Sequence, residues 1–323
     1  MKIKIIKLLM LQIVMLVAFT SCKNDEFTDS IFDTTEKSLD PNSYTYKLDK
    51  FIYDNYLMKY NLEFKYKMED IASPLNYNLV PASYQKSYEM AALAKYLWFD
   101  VYDKLAGVKF LKKNSPRIIH LIGSPAYNPT SGTMILGLAE GGIKVSLFRV
   151  NELNYKNVDD MNEMYFKTMH HEFAHILHQS KIIPKDFNLF SYKDYHPIGW
   201  QDRHHNVVLS LGFVSPYAGS QTREDFVEVI ANYIVQTDAW WENAFKIAAQ
   251  GWEQIDKNRP DLGVRLLAKD EDGVDGVAVL NQKIEMCKDW LLTRWNLDLD
   301  EIRNEVQYRQ SHIDIDELTK PFK

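Results

Sequence analysis

The sequence predicts an α+β fold: a small sheet, then a helix carrying a compact histidine motif, then a mainly helical C-terminal part. Three observations carry this expectation. Apolar residues recur at helical spacing near both ends of the chain. Between Gly107 and Asn151 the character changes to short β-rich runs broken by Gly and Pro. A mature chain of about three hundred residues with 46% hydrophobic content can bury a substantial core, as one large domain or two closely packed subdomains.

Taken in order, residues 44–60 place Leu48, Phe51, Ile52, Tyr56 and Leu57 on one helical stripe. Residues 84–105 ("YQKSYEMAALAKYLWFDVYDKL") form a stronger helix. The runs "VKFLKK", "RIIHLIGS", "TMILGL" and "GIKVSLFRVN" read as strands. Further helices are expected at about 159–179, 223–236, 239–256, 277–295 and 298–310. Residues 180–222 are irregular and rich in Tyr, Trp, His, Pro and Gly. A connection that long is uncommon inside a compact domain and is often functional.

The chain opens with Lys2, Lys4 and Lys7, an apolar run from Leu8 to Phe19, then Thr20 and Ser21 before Cys22. The run is too short for a permanent membrane span, so residues 1–21 read as an export signal. Removing them takes away three lysines and no acids, so the net charge of -6 becomes -9. That acidic balance argues against a nucleic-acid partner. Residues 22–42 form a polar, acidic tether, and 43–323 the folded domain, with its N-terminal helices and sheet ending near 157. Small residues before Cys22 resemble a bacterial lipoprotein signal, which implies lipidation of Cys22 and a membrane anchor. Cys287 then has no intramolecular partner, and no disulfide supports the fold.

His171-Glu172-Phe173-Ala174-His175 spells HExxH, a pattern that chance produces in on the order of one chain in a hundred. On a helix the two histidines lie roughly 40° apart, so both imidazoles can reach one ion, with Glu172 beside them. Phe166, Met169, Phe173 and Leu177 fall on the opposite side and can anchor the helix in a core. Such a face suits Zn²⁺, whose catalytic sites use three protein ligands and a water. His170 lies next to the apolar stripe and reads as a packing residue. His178 projects from the metal side one turn later, where it could ligate or help bind substrate, and reads more simply as a bystander. In "SQTREDFVEVIANYIV", Glu224 and Glu228 share one face of a helix whose other face carries Phe226, Ile230 and Tyr233. Spacing alone leaves open which glutamate would serve as third ligand, and such a pair equally suits a solvated surface.

HExxH followed by a helix with Glu-xxx-Glu resembles the gluzincin arrangement of thermolysin-like metallopeptidases. That resemblance implies a zincin-like fold, with Glu224 as third zinc ligand and Glu228 hydrogen-bonded to a ligating histidine. Tyr217, seven residues before Glu224, resembles the tyrosine that assists catalysis in the lethal-factor branch. The separation of His175 from Glu224, nearly fifty residues, departs from thermolysin and leaves the cleft walls undefined. Together, the lipoprotein start, "HEFAHILHQ" and "EDFVEVIANYI" resemble the substrate-import-associated zinc metallohydrolase lipoproteins of Bacteroidota. This implies a zinc peptidase acting on peptide or protein substrates. It also implies an outer-membrane location and a link to TonB-dependent import, while the acids behind Cys22 resemble the surface-export signals of such lipoproteins and equally suit an ordinary solvated linker.

Glu172 would be the general base, and "GIKVSLFRVN" the edge strand that pairs with an extended peptide. The competing reading is a non-catalytic surface lipoprotein that holds peptide or glycan for a transporter. An intact Glu172 favours the enzyme, and a peptidase acting on glycosylated proteins is a narrower variant of it. Asp270, Asp272 and Asp275 in "KDEDGVDG" read as a turn, because the full calcium-loop pattern is missing. His196, His204 and His205 lie in the expected cleft loop, where each faces substrate or, more commonly, solvent.

Overall fold

The computed structural model describes residues 39–68, 77–127, 134–135, 137–140, 143–255 and 263–322. The expected export signal, Cys22 and the expected tether up to residue 38 lie outside the described residues. The chain divides into Met1–Asp40 and Pro41–Lys323, and the second unit carries everything that follows. Among the described residues no helix is long and apolar enough to cross a membrane.

Helix α1 runs over Tyr46–Ile52, a π turn at Tyr53–Leu57 and a last turn at Met58–Tyr60. The wider turn shifts the register, so Tyr56 and Tyr60 enter the core and Leu57 faces outward. Strand β1 (Glu63–Lys65) follows, then α2, with segments Tyr84–Ala94 and Asp100–Ala106 joined by a π turn at Lys95–Phe99. The Ser83 hydroxyl caps α2 by accepting from the Lys86 amide.

"VKFLKK" is not the expected strand but helix α3, Val108–Asn114. Its alternation fits a strand locally, yet Leu111 is buried and the Phe110 ring meets the motif-helix Phe173 ring at 6.0 Å. Tertiary packing thus outweighs the local pattern.

Strands β2 (Ile118–Leu121), β3 (Ala126–Tyr127), β4 (Met134–Ile135), β5 (Gly137–Glu140) and β6 (Lys144–Leu147) come next. The main sheet has the order β1-β2-β6-β5, while β3 and β4 form a separate antiparallel pair. Strands β1, β2 and β6 are parallel, and α2 and α3 supply the crossover that β1 and β2 require. Ile119 pairs with Val145 and Leu121 with Leu147, presenting one apolar face to the helices. Strand β6 lies between β2 and β5, so its backbone is paired on both sides. "GIKVSLFRVN" therefore cannot be the peptide-binding edge; β5, antiparallel to β6, is the last strand on that side among the described residues.

The motif helix α4 comprises Val158–Met161, a π turn at Asn162–Phe166 and Lys167–Ser180. Phe166, Met169, Phe173 and Leu177 are buried as the stripe requires, and Phe173 packs between Trp98 and Tyr102 of α2. The long connection is less irregular than its composition suggests. It holds 3-10 turns at Lys185–Phe190, Trp200–Asp202 and Ala218–Ser220, and helix α5 at His205–Ser210.

Helix α6 (Thr222–Val235) packs against α4 and is buried on nearly every side. Helix α7 (Asp238–Ala248) stops eight residues before its expected end. There Gly251 approaches the Ala268 carbonyl too closely for a Cβ and opens the hairpin of β7 (Trp252–Gln254) and β8 (Val264–Leu266). Helices α8 (Gly276–Trp295), α9 (Leu299–Gln310) and α10 (Ile315–Thr319) complete the unit. The acidic "KDEDGVDG" run is a turn: Asp272 accepts from the Val274 amide, and Asp275 caps α8 through the Ala278 amide.

Candidate metal centre

His171 and His175 project from one face of α4 toward Glu224 in the first turn of α6. Their donor atoms form a nearly equilateral triangle. The two Nε2 atoms are 3.1 Å apart, and Glu224 Oε2 lies 3.2 Å from His171 Nε2 and 3.1 Å from His175 Nε2. These three residues form the metal-competent cluster among the described residues. A tetrahedral zinc site with bonds of roughly 2.0–2.1 Å spaces its donors about 3.3 Å apart, so the triangle fits within a few tenths of an ångström.

The outer edges of both rings are engaged. His171 Nδ1 donates to Glu228 Oε1 at 2.8 Å, and His175 Nδ1 lies 2.8 Å from His178 Nε2. When both rings are neutral with their protons on Nδ1, as metal binding requires, both Nε2 lone pairs face the Glu224 oxygen. Three acceptors so close repel one another unless a cation lies among them, which suits a metal. Glu228 is held from behind, its Oε2 accepting from the Ser215 hydroxyl at 2.6 Å and the Asn232 amide at 3.4 Å. Burial alone would raise its pKa, but the His171 hydrogen bond outweighs it and holds the carboxyl at about 2. Both glutamates are almost wholly enclosed, at 9% and 5% exposure, so they form no solvated face.

In the metal-free chain burial opposes a charge on His171, but hydrogen bonds to Glu224 and Glu228 raise its pKa to about 10. This folded-state value lies above the ordinary 6.5. The stabilisation from that proton is therefore full below pH 6.5 and is lost as the pH rises toward 10. Zinc needs the neutral imidazole, so binding near pH 7 is expected to release about one proton. Calorimetric titration in two buffers of different ionisation enthalpy measures this, and identical heats in both would contradict it.

Glu172 is half-buried beside the triangle. Burial raises its pKa, the neighbouring histidines lower it and the other two glutamates raise it, for a net upward shift. Tyr217 stacks on the His171 ring at 5.9 Å and is itself met edge-on by Trp200 at 4.8 Å. Burial, then the Glu224 carboxylate, raises its pKa and keeps the phenol a hydrogen-bond donor. His170 is a packed residue, as its position predicts: its Nδ1 meets the Tyr102 hydroxyl at 2.9 Å and burial lowers its pKa to about 3. His204 caps α5 by accepting from the Asn206 amide, and neither it nor His196 or His205 joins the triangle.

Sequence reasoning missed what holds α6 in place. Lys283 of α8 and Asp225 form an ion pair at 2.7 Å with both side chains fully buried. Lys283 also donates to the Gly212 carbonyl at 2.7 Å, and the Tyr195 hydroxyl donates to Asp225 Oδ2 at 2.7 Å. Gly212 has φ +79, and a Cβ there would lie 2.3 Å from Val279 Cγ1, so the turn needs glycine. The available signal was a lysine on the apolar stripe Leu280, Ile284 and Cys287 of α8. His178 was likewise read as a bystander, yet it touches a candidate ligand.

A helix-and-sheet frame that gathers two histidines and a glutamate around one metal position is the frame of a zinc metallopeptidase, and the comparisons agree. The family described as "Putative zinc-binding metallo-peptidase" matches residues 42–300, and the chain belongs to it. The chain is also similar to a crystal structure titled as a putative zinc-binding metallo-peptidase from Bacteroides caccae ATCC 43185. The identity is 39% and the TM-score 0.68, covering 89% of this chain and 99% of that one. No curated protein matches the sequence significantly. Zinc is the metal that this membership assigns.

Proposed function

We propose that the protein is a zinc-dependent peptidase with His171, His175 and Glu224 as metal ligands and Glu172 as general base. The observation that carries this is the triangle of three inward-facing donor atoms, with an intact glutamate one residue after the first ligand. Zinc, when bound, supplies Lewis-acid polarisation of the scissile carbonyl and lowers the pKa of its water toward about 7.

The Glu172 carboxylate takes the proton of the attacking water and passes it to the leaving amine. Its raised pKa moves it toward the range in which a carboxyl can both accept and return a proton. Tyr217 donates to the oxygen on which negative charge develops. Glu228, anchored by Ser215 and Asn232, fixes the orientation of His171.

Incubating the zinc-loaded protein with a peptide library tests the reading. Cleavage should vanish on chelation, return with zinc and fall about tenfold or more in Tyr217→Phe, which keeps the ring but removes the donor. Bound zinc without cleavage would favour the non-catalytic, peptide- or glycan-holding lipoprotein. The proposal extends to the envelope. The lysine-rich start, apolar run and Thr20-Ser21-Cys22 support lipid anchoring at Cys22, and the Bacteroidota resemblance supports a role beside a TonB-dependent importer. Cys22→Ser should move the protein out of the membrane fraction; unchanged fractionation would refute the anchor.

A further inference from the structure

The two histidines of the triangle are held in different ways. Behind His171 stands an anionic carboxylate, Glu228. Behind His175 stands a second imidazole: His178 Nε2 lies 2.8 Å from His175 Nδ1, with the ring centroids 5.0 Å apart and the planes at 67°. The His178 ring therefore sits at the Nδ1 edge of His175, on the far side from the Nε2 that faces Glu224 at 3.1 Å. It cannot ligate the same ion from there. Three residues along one helix place the two rings next to each other, so the contact is built into α4 and needs no second element to align it.

We infer that His178 is a positioning residue for zinc: as a hydrogen-bond acceptor it keeps the His175 proton on Nδ1 and aims Nε2 into the triangle. This rests on the zinc-site reading above. An imidazole can carry its proton on either nitrogen, and only the tautomer with Nε2 bare can ligate here. An imidazole acceptor fixes that choice without adding a further carboxylate to a site that already holds Glu224, Glu228 and Glu172. A carboxylate at the same place would donate more electron density through the ring and hold the metal more firmly.

The test is the rate at which zinc leaves the full-length protein for a chromogenic chelator, in wild type, His178→Phe, His178→Gln and His178→Glu. Replacing the ring with one that cannot accept should speed zinc loss about 10–100-fold. Gln places an acceptor oxygen at similar reach and should recover most of that loss, while Glu should release zinc at or below the wild-type rate. Thermal unfolding of the zinc-free forms checks that each variant is folded. Equal rates in His178→Phe and wild type would overturn the inference. So would a Gln variant as leaky as the Phe variant, since the ring would then serve only as packing. A wild-type protein that binds no zinc would instead overturn the site reading itself.

Discussion

Replacing Glu172 by Gln is expected to slow hydrolysis by about 10²–10⁴-fold while leaving zinc in place. The substitution keeps the size and a polar end but removes the oxygen that accepts a proton. None of the three donor atoms in the triangle belongs to Glu172, so metal content should not change. The hydrogen bonds that orient His171 run to Glu228, and those of His175 to His178. The loss should therefore fall on the chemical step and not on substrate binding. Steady-state rates measured beside zinc content check this. A Gln variant that cleaves peptides at the wild-type rate would show that another group takes the proton.

The largest stability effect is expected at Lys283, far from the chemistry in sequence. Lys283→Met strands a fully buried carboxylate and should cost about 3–5 kcal/mol. In a domain of this size that lowers the melting temperature by roughly 6–20 °C. Asp225 Oδ1 already lacks a hydrogen-bond partner, and burial raises the Asp225 pKa even with the lysine present. Adding Asp225→Leu should recover much of the loss, because the cost lies in the unpaired charge more than in the absent pair. Differential scanning calorimetry of the two variants decides the matter. A single variant as stable as wild type would mean that the pair contributes nothing to holding α6.

The parts of the molecule that were legible in the sequence are those where one element explains itself. The core stripe of α4, from Phe166 to Leu177, follows from helical spacing and is buried as expected. The pairing of HExxH with the Glu224 helix was legible through family resemblance, not spacing, because two glutamates four apart equally suit a solvated face. What escaped were contacts between distant segments. Helix α3 gains Phe173 as a neighbour, 63 positions after Phe110 in the chain, and no local alternation reports that. Strand β6 looked like an edge because sequence order does not reveal that β2, from an earlier part of the chain, pairs with it on the side away from β5. The Asp225–Lys283 pair was hidden for the same reason, its halves being carried by two separate helices. The His175–His178 contact was within reach of a helical wheel, but only the folded structure shows that the second ring meets Nδ1 of the first.

Glu224, and not Glu228, is expected to complete the zinc site. Metal analysis of the purified protein, wild type beside Glu224→Ala and Glu228→Ala, decides between the two glutamates. Wild type should carry about one zinc per chain, Glu224→Ala should lose stoichiometric zinc, and Glu228→Ala should retain zinc but bind it more weakly. Stoichiometric zinc in Glu224→Ala together with its loss in Glu228→Ala would make Glu228 the third ligand, and a wild-type protein free of zinc would mean that the triangle holds none.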